Sequence, residues 1–503
     1  MSPRPVRSPL LAALVALAAA CGEKEVAPSL DLVTVACAGT PPLDGVTHLR
    51  FRVSGPGVET ARERVSTVRW TAGDVPALPV GRARVLEVRA YAGAPEHGGQ
   101  LLSLGRSAPV DIAEGQEAPV RVFLRRLGEF VPVNVSASPD TCAMPRETRA
   151  GHTATLLPDG RVLFAGGYPP EAKGARPASG TTEVFDPETG TFSPGPDVGA
   201  RAFHTASLLP DGKVLLAGGA EALDPASMQR TARIVDVAAG TASSVEPKVA
   251  RYQHAAAMDA EGHVLLVGGR SAEGSPVFKA EGFDAASGRF VDVPTEVPRV
   301  DAALTVMPDG RTLLVAGGAD ATGPQADVMG FAFEGNTFSR LSAGARLQVP
   351  RVGAAVAMLG REEDGPRPVL MGGFNGVDPE KGARAVGSSE VLEGVASVGD
   401  GPALLPRGNA CAVSLPDGRV VVLGGRANDF GTPRAMDRAE LIIPRKDAQP
   451  SVLGLPLMPQ PRVGHTCTAL ADGSVLVVGG VDDSTGEARA PIDALVVMPP
   501  PRD

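Results

Sequence analysis

The same short pattern is written seven times into this chain, and that recurrence limits the fold more than any other feature. Each copy runs from an arginine through a short strand, a turn usually containing Asp-Gly and a second apolar strand to a pair of glycines. The copies begin at Arg149, Arg201, Arg251, Arg299, Arg351, Arg407 and Arg462. They end on Gly166-Gly167, Gly218-Gly219, Gly268-Gly269, Gly317-Gly318, Gly372-Gly373, Gly424-Gly425 and Gly479-Gly480. Successive arginines lie 48 to 56 residues apart, a period that suits one four-stranded blade per copy. In the first copy His152 to Leu157 reads as strand one, Pro158-Asp159-Gly160 as the hairpin turn and Val162 to Ala165 as strand two. Thr181 to Phe185 follows as strand three, a turn at 186–190 comes next, and Thr191 opens strand four. Second strands such as Val214-Leu215-Leu216-Ala217 are apolar throughout, as a strand covered on both faces must be. The predicted class is therefore all-β: a seven-bladed β-propeller over residues 129–503, preceded by a small sandwich.

The seventh copy lacks a fourth strand, because sequence rich in proline follows Met498. Phe130 to Val135, within 129–136 ahead of the first copy, is predicted to close the ring from the other end and remove an exposed edge. Residues 27–128 form a separate unit with alternating segments at His48 to Val53, Val85 to Tyr91 and Val120 to Leu124. That pattern predicts a β-sandwich of immunoglobulin or fibronectin type. The 61 Gly and 47 Pro, against 4% aromatic residues, fit many short strands joined by tight turns.

At the N-terminus Arg4 and Arg7 precede the apolar run Leu10 to Ala20, too short to span a bilayer; residues 1–20 read as an export signal. Leu17-Ala18-Ala19-Ala20-Cys21 resembles the lipobox of bacterial lipoproteins, with the leucine one place further back than usual. The resemblance implies lipidation of Cys21, a tether over 21–26, and an exported chain anchored at the outer membrane or cell surface. The remaining Cys37, Cys142, Cys411 and Cys467 are an even set, as an oxidising compartment favours. Cys37 and Cys142 flank the first domain and are the disulfide candidate. Cys411 and Cys467 stand in opposite registers of adjacent first strands, so two separate buried thiols suit that pair equally well. A net charge of −9 argues against nucleic acid as a partner.

The apolar strand ending in Gly-Gly, with Arg-x-x-His upstream in several copies, resembles the kelch family over about 70% of the chain, in the bacterial form rich in Leu-Pro-Asp-Gly-Arg. The Tyr and Trp of the wider kelch pattern are mostly missing: only Tyr168 follows a glycine pair, and the sole Trp, Trp70, lies outside the repeats. The seven arginines allow an anion-binding ring or buried bonding to carbonyls of the adjoining blade, and sevenfold recurrence favours the second; the resemblance implies a blade-fastening role for His152, His204, His254 and His465. Those histidines are also weak candidates for zinc or copper, but Ala302, Ala354 and Ala410 replace them without ending the repeat, and equivalent positions in a wide ring lie too far apart for metal bonds. The copper radical enzyme galactose oxidase is built on the same repeats and needs two Tyr, one cross-linked to Cys, and two His. Tyr168 and Tyr252 have no Cys near them in sequence. There is no Gly-x-Ser-x-Gly, His-Glu-x-x-His or phosphate loop, and Asp482 and Asp483 read as solvated loop residues. The leading expectation is a non-enzymatic envelope protein without a cofactor, engaging a protein or glycan through the variable loops at 168–180, 220–231, 374–389 and 426–438. A copper oxidoreductase of the galactose oxidase kind is the second.

Overall fold

The protein is described by a computed structural model covering residues 24–170, 177–221, 227–342, 344–361, 365–378, 382–427, 432–446, 448–485, 488–491 and 493–501. Residues 1–20, expected to be an export signal, Cys21 and parts of all four variable loops lie outside the described residues.

Seven four-stranded antiparallel sheets carry the repeats, one per copy. Blade one comprises Thr153–Leu156, Val162–Ala165, Thr182–Asp186 and Thr191–Pro194, paired in that order. The second strands, Val162–Ala165, Val214–Ala217, Val420–Leu423 and their counterparts, are buried along their whole length. Adjacent blades share apolar clusters: Leu163 and Val184 of blade one pack with Val214, Leu216 and Val235 of blade two. Burial between blades is thus the main stabilising contribution, and it recurs at every seam.

Blade seven is assembled from both ends of the chain. Its strands Thr466–Ala469, Val475–Val478 and Ala494–Val497 receive Phe130–Pro132 as the fourth, with Phe130 opposite Val497 and Pro132 opposite Leu495. The closing strand is shorter than the sequence predicts. Asn134–Val135 turn away and form a hairpin with Ser138–Cys142, which brings Cys142 to Cys37 in a disulfide with Cα atoms 5.2 Å apart.

Ahead of the propeller, one sheet runs Arg125–Arg126, Gln100–Arg106, Gly81–Ala92, His48–Ser54, Arg62–Thr67, with Val110–Ile112 also on Gly81–Ala92. Across its core lies the parallel pair Pro28–Val33 and Ala118–Phe123. Strict alternation in His48–Ser54 puts Leu49, Phe51 and Val53 inside, against Val88, Val120 and Val122. This domain touches the hairpins of blades one and seven: Arg121 Nη1 donates to the Glu188 carbonyl at 2.9 Å, and the buried Arg125 faces Asp472 at 3.9 Å.

Candidate functional site at the axial mouth

The repeat residues divide into two kinds of contact. Each arginine is buried, and six of the seven hold an acid on their own blade: Arg149 pairs with Glu183, Arg251 with Glu281, Arg299 with Asp327, Arg351 with Glu390, Arg407 with Glu440 and Arg462 with Asp493. Several also donate to their own first repeat glycine, as Arg149 does to the Gly166 carbonyl at 2.7 Å. The guanidinium therefore works within its blade, not across to the adjoining one as the sequence suggests. What crosses is backbone. The second glycine of each pair donates to the next arginine's carbonyl: Gly167 to Arg201, Gly219 to Arg251, Gly269 to Arg299, Gly318 to Arg351, Gly373 to Arg407, Gly425 to Arg462 and Gly480 to Arg149, at 2.7 to 3.0 Å. That circle of seven bonds explains the glycine pair, since a Cβ on Gly166 would lie 2.2 Å from the Arg201 oxygen.

The histidines sit one step further along. His204 Nε2 shares a hydrogen bond of 2.9 Å with Thr153 of the preceding blade, His254 one of 2.8 Å with Thr205, and His152 one of 2.9 Å with Thr466. Burial holds all four rings far below the usual imidazole range, His254 and His465 at about 3, with the neighbouring repeat arginine adding to the effect. They are neutral and spread around the ring, and no group of three or more metal-binding side chains occurs among the described residues. Cys411 and Cys467 form a disulfide with Cα atoms 6.0 Å apart, contrary to the reading of separate thiols. The register parity was read correctly; its consequence was not. Adjacent blades present opposite faces to each other, so side chains on opposite faces of neighbouring first strands meet in the seam.

Two residues past each arginine the chain enters the left-handed region, a feature the repeat pattern did not single out. Gly151, Phe203, Gln253, Asp301, Gly353, Asn409 and Gly464 have φ between 49° and 67°. Four of the six non-glycine residues with positive φ are here, each costing about 1 kcal/mol, so the conformation is imposed by the ring. In five seams this position links backbone to backbone, for example Phe203 N to Gly151 O at 2.8 Å and Asn409 N to Gly353 O at 2.8 Å. Phe203 lies over Gly151 and Asn409 over Gly353, where a Cβ would collide. Between blades three and four side chains make the link. Arg270 Nε donates to Gln253 Oε1 at 3.0 Å, and its Nη2 faces Asp301 Oδ2 at 3.9 Å.

This end of the axis is the chemically distinctive place. Burial pushes the Asp301 carboxyl up against the opposing pull of Arg270, although about a third of its side chain stays exposed. Burial also raises the neighbouring Tyr252 phenol, and the Asp301 charge adds to that. Tyr168 packs on Phe203 with ring centroids 5.5 Å apart. Asp483 is not a free loop carboxylate: it pairs with Arg426 and accepts from the Ala435 amide at 2.7 Å. A sequence signal for the mouth existed in the Gly, Asn and Asp that fill this position in five of the seven copies, the types that best tolerate positive φ.

No family model and no curated protein matches the chain. Among solved structures, a fungal alcohol oxidase of the AA5 family, in complex with copper, matches with a TM-score of 0.55 at 18% identity, over 75% of this chain and 76% of that one. The likeness supports the fold alone, an all-β propeller. The first of the two functional expectations is corrected. A non-enzymatic binding protein was expected first, and against it stands a solved structure that shares this fold over three quarters of the chain and is described as an alcohol oxidase.

The side chains present do not supply the copper set that the galactose oxidase resemblance implies. Three of the four repeat histidines spend Nε2 on a threonine hydroxyl between blades. Cys37, Cys142, Cys411 and Cys467 are all in disulfides, and none adjoins Tyr168 or Tyr252 in sequence.

Proposed function

We propose that the chain is an oxidoreductase of the galactose oxidase-like propeller class, acting on an alcohol or carbohydrate hydroxyl at the axial mouth. The structural likeness to an alcohol oxidase over three quarters of the chain carries this reading. The mouth supports its location, because a carboxyl whose proton affinity is raised by burial is suited to accept a hydroxyl proton. Asp301 is the proton acceptor in this reading, Arg270 positions it, and Tyr252 and Gln253 supply hydrogen bonds to the substrate. Removing two electrons from the alcohol requires a redox group, and that group is not a tyrosine–cysteine copper centre built from the described residues.

The purified protein, incubated with cupric ion and freed of excess, is tested with primary alcohols and simple sugars in the presence of oxygen or a dye acceptor. Substrate-dependent turnover that falls at least about 100-fold in Asp301→Asn, with unchanged melting, is expected. No turnover with any acceptor, by a fully folded protein, overturns the reading. We further propose export and anchoring at the cell envelope through lipidated Cys21, supported by the N-terminal sequence. Membrane-fraction recovery of the wild type and its loss in Cys21→Ser is the expected result.

A further inference from the structure

Six of the seven seams obey a pairing rule at two repeat positions. Three carry threonine against histidine: Thr466 with His152, Thr153 with His204 and Thr205 with His254. Three carry alanine in both places: Ala255 with Ala302, Ala303 with Ala354 and Ala355 with Ala410. The seam between blades six and seven alone keeps the histidine, His465, without the hydroxyl. The threonine position there is Cys411, and its sulfur is bonded to Cys467, two residues beyond His465.

His465 bears the consequence. It is 8% exposed, and neither ring nitrogen makes a hydrogen bond. The Leu423 and Arg462 carbonyls lie near enough to favour the charged form slightly, without accepting a bond of proper geometry. A buried donor or acceptor left unmade is destabilising, and the other three histidines each satisfy Nε2. The missing partner is the atom that the disulfide withholds.

We propose that this seam is a redox-modification site: reduction of the Cys411–Cys467 disulfide delivers the Cys411 thiol to His465 Nε2 and rebuilds the latch with sulfur in place of the threonine oxygen. A small dithiol supplies the electrons. Its thiolate attacks one sulfur, the protein S–S bond breaks and a mixed disulfide forms; the reagent's second sulfur then displaces the protein, closing the reagent's own disulfide. The two reagent protons end on Cys411 and Cys467, and two electrons have passed to the protein. Both cysteines are half-buried on the innermost strands, so a small reagent reaches them, and the seam gains a hydrogen bond as it loses the covalent link. The imidazole, held neutral by burial, accepts the Cys411 S–H bond and keeps the proton on sulfur, which leaves Cys411 the less reactive thiol of the pair.

The folded, full chain is treated with dithiothreitol, alkylated with iodoacetamide and analysed by mass spectrometry, with Cys37–Cys142, which has no such imidazole, as internal reference. The expected result is reduction without unfolding and alkylation of Cys467 about tenfold faster than Cys411, a preference lost in His465→Ala. If His465→Ala fails to fold, Cys467→Ser serves: it frees Cys411 beside His465 without reductant, and its alkylation should quicken only as pH rises through a value above the ordinary thiol range. A disulfide reduced only on unfolding, equal alkylation of the two cysteines, or an ordinary thiol pH profile in Cys467→Ser would each overturn the proposal.

Discussion

The two arcs of the ring are fastened differently. From blade seven through blade three the seams carry a buried threonine–histidine bond, whereas from blade three through blade six the same positions are alanine. In the seam between blades four and five an apolar atom takes the space of the ring: beside Gly317 stands Leu347 Cδ1, while His204 Cε1 occupies that place beside Gly166. The polar latches, with the disulfide next to them, surround the blade built from both ends of the chain. The break in chain continuity falls inside that blade, between Ala494–Val497 and Phe130–Pro132, and the directional bonds lie on either side of it.

Breaking the closure should have the largest effect. Val131 is 8% exposed, opposite Val496, in a cluster shared with Phe164 and Phe185 of blade one. Val131→Asp buries an unpaired carboxyl there and should cost about 4 kcal/mol or more, seen as aggregation or a melting temperature lowered by on the order of 10 °C. The same substitution at Val306, a half-buried first-strand residue in the alanine arc, should cost clearly less. Equal losses would mean that the closing strand is no special weak point.

Single latches come next. His204→Ala removes a buried ring and its bond to Thr153 and should cost about 2–3 kcal/mol by denaturant titration. In a double-mutant cycle with Thr153→Ala the coupling should be about 1 kcal/mol. Adding the ring where the alanine arc has no room, by Ala354→His, should destabilise by about 1–3 kcal/mol despite matching the other arc's sequence. A stabilised Ala354→His would show the arcs to be interchangeable.

Acid should loosen the latched arc first. Folded pKa values near 3 for His254 and His465 lie below the value near 6.5 of an unfolded imidazole, so the unfolded chain takes up protons first on acidification. The stabilisation is complete above about pH 6.5 and is lost as pH falls from there toward 3, at about 1.4 kcal/mol per unit per histidine. Between pH 7 and pH 5 the variant Thr153→Ala/His204→Ala should lose about 2 kcal/mol less than wild type. Parallel pH profiles would place the histidine protons elsewhere.

Blade number, strand order and the location of the second strands were readable because glycine pairs and continuous apolar runs report local backbone and burial directly. Seam contacts were only half readable. The joint replacement of threonine and histidine by alanine was there to be seen, but recognising it requires knowing that the fifth residue of one copy meets the fourth of the next. The same missing fact made Cys411 and Cys467 look mutually averted. The mouth was hidden for another reason: Asp301 and Arg270 meet because a left-handed turn and a post-glycine bridge converge, and no spacing within one copy encodes that.

The smallest expected effect tests an exception within the latched arc itself. In blades one, three, five and six the residue paired across from the third position of the second strand is glutamate: Glu183 opposite Phe164, Glu281 opposite Leu266, Glu390 opposite Leu370 and Glu440 opposite Val422. In blade two that place, opposite Leu216, is Arg233. Arg201 is fully buried, bonds only carbonyls, those of Val198, Gly199 and Thr231, and is held down at about 10 by burial first and the like charge of Arg233 second. The desolvation cost of Arg201 is already met in the folded state, so an added acid supplies attraction without burying a new arginine. Arg233→Glu should therefore raise stability by about 1 kcal/mol, a rise of roughly 2 °C in melting temperature, with Arg233→Gln giving part of that gain by removing the repulsion alone. A lower melting temperature for Arg233→Glu would show that the carbonyl cage around Arg201 has no room for the acid that the other blades use.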